Sequence, residues 1–296
     1  MRAAVVTSFG GPEAVEIVEV ETPEPGAGEV RIKVAAAALN PVDAGVRVGA
    51  FGGAGRRLGL GWDIAGTLDA VGAGAERQVG EEVVALHYGM GADLGSHAEY
   101  VVVPAAAVAK APTTVDTVHA ATLPLNALAA AQALDLLSLD AGQSLVVTGA
   151  AGALGGFAVR LAAHRGVTVT GVARPADEEF VRSLGAAHFS TGQVAAGGAD
   201  AVLDAAQLGE RALAWVRDGG AFTGVIPGAQ PASVRGVRTA AVEVAADGAR
   251  LAELVRLVDD GVLTLRVAET FALAEAAKAH ARLAEGGIRG RLVLVP

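Results

Sequence analysis

Apolar positions in the first 118 residues recur in short runs that alternate with polar ones or stay apolar over strand lengths. These runs, over 3–6, 16–20, 30–37, 65–71, 82–86 and 98–103, are separated by Gly and Pro. Period-two patterning between turn residues predicts strands, here gathered into a β-rich barrel or sandwich. Near Asp116 the texture changes. Residues 118–137 are long, Ala/Leu-rich and helical, and from Ser144 strands alternate with helices. The expected order is strand 144–148, helix 153–164, strand 167–172, helix 176–184 and a short strand at 188–189. Strand 201–204, helix 210–216, strand 220–225, a strand near 237–244 and helix 248–260 follow. Such alternation predicts a parallel sheet covered on both faces, a doubly wound Rossmann arrangement. The tail adds strand 265–269, helix 273–283 and strand 291–295. Six strands already complete a Rossmann sheet, so this tail is expected to return to the first domain. The predicted domains are therefore 1–118 with 265–296, and 119–264.

Composition narrows the function. With 296 residues, the chain is long enough for two domains and a cleft. Its 23 Lys+Arg are outnumbered by 32 Asp+Glu, for a net charge of -9, and form no basic stripe, which argues against nucleic acid. No 18-residue apolar run and no secretory leader pattern occur, so no membrane partner and a cytoplasmic location are expected. The chain has no cysteine, which excludes disulfides, thiolate nucleophiles and cysteine-held zinc.

The most informative stretch is LVVTGAAGALGGFAVR from Leu145, a strand running through a glycine turn into an amphipathic helix. Unpaired N–H groups and the helix dipole at such a turn attract a pyrophosphate. Gly149 supplies the tight turn, Gly152 lets the phosphates approach the backbone, and Gly155 or Gly156 packs helix on strand. Ala150 stands where G-x-G-x-x-G has its first glycine, and Ala153 and Leu154 open the helix. Against this, a glycine pattern in a chain with 40 glycines also fits an ordinary strand–helix turn. Cofactor choice is read after the second strand, where an acid would hold the ribose 2′-hydroxyl of NAD and an arginine the 2′-phosphate of NADP. The residue there is Arg174, with Asp177 and Glu178 close enough in sequence to oppose a phosphate; NADPH is favoured over NADH. Ala205, Gly224 and Val225, at the ends of the fourth and fifth strands, are expected to contact the cofactor through their backbone.

The chain resembles the medium-chain dehydrogenase/reductases, and specifically their zinc-free quinone oxidoreductase branch. The resemblance rests on FGGPE from Phe9, PGxGEV from Pro25, NPVD from Asn40, GWDIAG from Gly61, SHAEY from Ser96, LPL from Leu123, the glycine turn and GRLVL from Gly290. It implies an α/β fold: a GroES-like β-rich catalytic domain, made discontinuous by an inserted Rossmann domain. It also implies that Asn40 and Trp62-Asp63 stand where zinc-dependent relatives carry metal ligands, so no metal is expected. Without a Lewis acid, substrates must accept hydride unaided, as quinones and α,β-unsaturated carbonyls do.

The resemblance suggests Asn40 as a pocket residue whose amide donates to the nicotinamide ribose or a developing enolate, although Asn before Pro is also common turn chemistry. Asp43 reads as a helix cap. Phe51 follows the family's pattern at the cleft edge but lacks the hydroxyl some relatives have. Tyr88, beside His87, is a candidate for the pocket mouth or simply a loop residue. Ala129 replaces a threonine that faces the nicotinamide in relatives, leaving Thr122 and Asn126 as possible contacts. Arg291 replaces a lysine and is a candidate for cofactor binding and for ion pairing across the domains. A homodimer through the strand near 237–244 is expected. The leading expectation is an NADPH-dependent reductase of quinones or enones. Alternatives are an enoyl-thioester or other biosynthetic-intermediate reductase, and a non-redox NADPH-binding protein.

Overall fold

Strand-length runs become strands where they find partners. In the computed structural model, which describes all 296 residues, the chain begins with β1 (Arg2–Val6), β2 (Glu16–Glu19), β3 (Glu29–Leu39) and helix α1 (Pro41–Arg47). It continues through β4 (Leu58–Gly59), β5 (Asp63–Val71), β6 (Glu82–Leu86), β7 (Tyr100–Pro104), β8 (Val108–Lys110) and the short helix α2 (Thr117–Ala120). One helix was expected over 118–137. Instead, α2 ends and α3 (Pro124–Leu137) begins at Pro124. Proline has no N–H to continue a helix and suits the first helical position.

The alternating region gives β9 (Ser144–Thr148), α4 (Ala153–His164), β10 (Thr168–Val172), α5 (Glu178–Ser183), β11 (His188–Ser190), β12 (Ala199–Asp204), α6 (Glu210–Leu213), β13 (Val216–Gly224) and β14 (Arg238–Ala241). All six strands pair in parallel in the order β11-β10-β9-β12-β13-β14. This is the doubly wound order that reverses direction between β9 and β12. Strand β13 starts earlier than its sequence suggested. A register shift lets Val216 pair with Ala199 before Ala221 pairs with Ala201, so the end of the expected helix becomes strand. The core below the sheet includes Val146, Val202, Leu213 and Phe222, the last among the largest fully buried side chains.

The chain then forms α7 (Gly248–Asp259), β15 (Val267–Ala272), α8 (Ala276–Glu285) and β16 (Arg291–Val295). Strand β16 pairs with β3, extending a sheet ordered β15-β16-β3-β5-β6-β8, with β7 also on β3; β2, β1 and β4 form a second sheet. Two compact units result: residues 1–125 with 246–296, and residues 126–245. The sequence reading placed the boundaries at 118 and 264, and α7 accounts for most of the difference. Gly248 lies so close to the Ala106 and Val108 carbonyls that a Cβ would sit 2.5 and 2.6 Å from their oxygens. At the other end of α7, Asp259 accepts the backbone N–H groups of Thr113 and Thr114 at 2.8 and 3.0 Å. Helical periodicity shows that a segment is amphipathic but not which sheet it covers.

Candidate active site

In the second unit the strand ends align in one row: Val172 beside Thr148, Thr148 beside Asp204, Asp204 beside Gly224, and Gly224 beside Ala241. The candidates Gly149, Ala205 and Val225 each follow a member of this row, so the parallel register gathers residues far apart in sequence. Gly149 takes φ 60°, left-handed backbone that favours glycine. A Cβ on Gly155 would strike the Gly149 carbonyl and come 3.1 Å from Ala150 Cα, so this glycine lets α4 pack on the turn. Gly152, the N-cap of α4, differs: an added Cβ would meet only the Gly149 oxygen, at 3.1 Å. Over Gly152 only that one backbone oxygen comes within contact range, where the first turn of α4, with Ala153, Leu154 and Gly155, presents N–H groups lacking intrahelical partners. Ala150 is fully buried and faces inward. These residues fit the pyrophosphate of a dinucleotide.

Side chains fix the crevice at the β9/β12 reversal. Thr148 Oγ1 donates to Asp204 Oδ1 at 2.6 Å and accepts from Ala206 N at 2.9 Å, while Asp204 Oδ2 accepts from Gly209 N at 2.8 Å. This brace is hardly legible in the sequence, where its only local signal is a polar residue ending each of two apolar strands. Arg174, two residues beyond β10, is exposed. Asp177 and Glu178, which might have opposed a phosphate there, are otherwise placed: Asp177 is buried and Glu178 accepts from Arg182 at 2.8 Å.

The first unit holds a buried polar network. Asn40, the N-cap of α1, is 1% exposed. Its Nδ2 donates to Asp63 Oδ2 at 2.6 Å and to the Ala38 carbonyl at 3.3 Å. The amide N–H groups that the sequence reading directed at a ligand are thus used within the protein. Asp63 Oδ1 accepts from Leu125 N at 2.6 Å, tying β5 to the start of α3. Asp43 does not itself sit at the N-cap. It lies three residues inside, where Oδ2 accepts Asn40 N at 2.8 Å and Oδ1 accepts Gly61 N at 2.7 Å. Asn40-x-x-Asp43 is the spacing of a capping box, a signal readable in the sequence. Asp63 was the member of this network least legible in the sequence, because only pairing of β3 with β5 brings it to Asn40.

Burial dominates the electrostatics. It pushes the Asp63 carboxyl up to about 7, against the opposing effects of the Leu125 and Asn40 hydrogen bonds and of Arg291. Asp43 is also raised by burial, while His97, the bonded N–H groups and Arg291 act against the shift. Burial lowers Arg291 to about 10, with Asp63 and Asp43 opposing. Arg291 therefore compensates two acids within its own unit.

Phe51 is 48% exposed, and its ring lies over Gly45, where a Cβ would meet Cε2 at 2.7 Å. Tyr88, 45% exposed, packs edge-on against Trp62 with ring centroids 5.3 Å apart. Thr122 is buried and gives its hydroxyl to the His119 carbonyl at 2.8 Å, inside the turn that ends α2. Asn126 is buried in α3.

Two family models match the chain: the alcohol dehydrogenase GroES-like domain over residues 26–113 and the zinc-binding dehydrogenase over residues 175–294. A quinone oxidoreductase of Pseudomonas aeruginosa is 29% identical over 321 residues, covering 98% of each chain. An Arabidopsis thaliana chloroplastic NADPH-dependent alkenal/one oxidoreductase is 35% identical over 196 residues, 63% of this chain and 51% of that relative, so this match spans about half the relative's length. The solved quinone oxidoreductase from Coxiella burnetii superposes with a TM-score of 0.87 at 25% identity, covering 100% of this chain and 99% of that one. The chain belongs to the medium-chain dehydrogenase/reductase family, with a GroES-like domain and a Rossmann-type domain. Zinc does not fit its residues. The chain has no cysteine, no three His, Asp or Glu side chains converge as a ligand group, and Asn40 and Asp63 are bonded to each other. No helix is long and apolar enough to cross a membrane.

Proposed function

We propose that this chain is a zinc-independent, NADPH-dependent oxidoreductase that reduces quinones or α,β-unsaturated carbonyls. The Asn40–Asp63 hydrogen bond carries the reading: these side chains stand where zinc-dependent relatives hold their metal, and here they form a closed pair. A carbonyl in this protein has no Lewis acid to polarise it, so the acceptor must delocalise the incoming charge through its own conjugation. Bound NADPH supplies the hydride. The Gly149–Gly155 turn anchors the pyrophosphate through backbone N–H groups, and exposed Arg174 meets the 2′-phosphate. The balance is quinone plus NADPH plus a proton giving hydroquinone and NADP⁺; for an enone, hydride adds at the β-carbon and the proton at the α-carbon. Phe51 carries no hydroxyl, and the proton is taken from solvent. The free edge of β14, last in its sheet, is the surface through which a homodimer would form, checked by molar mass in solution.

NADPH oxidation should be measured with a quinone, a free enone and an enoyl thioester, each with and without a metal chelator. Chelator-insensitive turnover of the quinone or free enone is expected. Turnover confined to the thioester would move the assignment to an enoyl-thioester reductase. No turnover with any acceptor, while NADPH binds, would leave a non-redox binding protein.

A further inference from the structure

Unsatisfied buried polar atoms concentrate in one region of the first unit. Arg47 Nε and Nη1, Ser96 Oγ, His97 Nδ1 and both ring nitrogens of His280 are buried without a hydrogen-bond partner. Native proteins leave few such atoms, and an ion or water is the usual explanation. Three distant stretches supply them. Val46, Leu60 and Ala279 belong to one apolar cluster. Arg47 follows Val46, His280 follows Ala279 on α8, and His97 N donates to the Leu60 carbonyl at 2.9 Å. Gly61 brings two of these side chains together: a Cβ there would lie 2.5 Å from His97 Cδ2 and 2.6 Å from Ser96 Oγ, so both pack directly on its backbone. Arg47 is 6% exposed and His280 1%.

Charge decides what these unpartnered atoms bind. A guanidinium stays protonated, and burying it without an acceptor is strongly unfavourable. Asp43 is the carboxylate whose charge reaches His97, and both its oxygens are engaged by backbone N–H groups. The charged groups acting on His280 are His97 and Arg47; both oppose its protonation, and no carboxylate offsets them. The local potential is positive and the groups are rich in donors. Water would satisfy the donors but leave the charge; an anion does both.

We propose that Arg47, Ser96, His97 and His280 enclose a binding site for one small monovalent anion, the size of a halide or formate. Arg47 donates through Nε and Nη1, Ser96 through its hydroxyl and His280 through one ring N–H. His97 lines the site beside Ser96, its Nε2 held 3.1 Å from the Ala38 carbonyl. The site is independent of the reaction assigned above.

Two measurements on the wild-type protein test this. Crystals soaked in sodium bromide should show an anomalous peak between Arg47 and His280. At constant ionic strength, replacing gluconate by bromide should raise the unfolding temperature by about 2–4 °C, since a ligand bound only by the folded state stabilises it. Arg47→Gln should abolish that rise, as should Ser96→Ala in part if the arginine variant does not fold. Water density without an anomalous peak overturns the proposal. So does a peak with no salt-specific shift in solution, which would mean an adventitious ion only.

Discussion

Asn40 Nδ2 donates to Asp63 Oδ2 at 2.6 Å, with both side chains buried. The pair joins the end of β3 to the start of β5, and Asp63 carries the linkage on to Leu125.

Asp63 and His280 should impose opposite pH dependences on stability. Asp63 has its carboxyl raised from 3.8 to about 7, so the folded state holds a proton the unfolded chain releases. Stability is then lost as pH rises between about 4 and 7, by about 4 kcal/mol at most. His280 is lowered from 6.5 to about 3 by burial, so the unfolded chain binds the proton first and stability is lost as pH falls below 6.5. Relative to wild type, Asp63→Asn should gain stability as pH rises from 4.5 to 7, and His280→Gln should lose it. Urea midpoints at the two pH values measure both, and a variant profile parallel to wild type would contradict the corresponding shift.

Gly152 and Gly155 should separate binding from folding. Gly155→Ala drives a Cβ into the Gly149 backbone and should cost about 1–3 kcal/mol of stability. Gly152→Ala brings its Cβ to 3.1 Å from one atom, the Gly149 oxygen, so its stability loss should be smaller, about 1 kcal/mol or less. Its NADPH dissociation constant should nevertheless rise at least ~10-fold, because the methyl occupies the phosphate's approach. Thermal unfolding and cofactor titration distinguish the two, and equal behaviour of the variants would sink the assignment of roles.

Arg174→Ala should weaken NADPH binding by ~10–100-fold, the loss of a charge-assisted contact to phosphate. NADH binding should stay within about twofold, since NADH lacks the 2′-phosphate. Fluorescence titration with both cofactors checks this, and equal losses would remove Arg174 from the 2′-phosphate.

Thr148→Val keeps the side chain's shape and removes its hydroxyl. Asp204 Oδ1 then loses the donor at 2.6 Å and Ala206 N its acceptor, which should cost about 1–3 kcal/mol. Equilibrium unfolding of the variant measures it, and an unchanged midpoint would show that the brace contributes nothing.

Features that depend on local chemistry were legible along the chain. The strand–turn–helix from Leu145, the period-two strands, the doubly wound alternation and the lack of thiol ligands all follow from residues within a few positions of one another or from counts. Tertiary structure decided what depends on pairing across the chain. Whether α7 covers the first or the second sheet is set by its contacts with Ala106, Val108, Thr113 and Thr114, while whether the Asn40 amide faces a ligand or Asp63 and which acids Arg291 balances are set by β3–β5 and β3–β16 register, joining residues tens to hundreds of positions apart. Periodicity states that a side chain is inward. Only the partner strand states what it meets there.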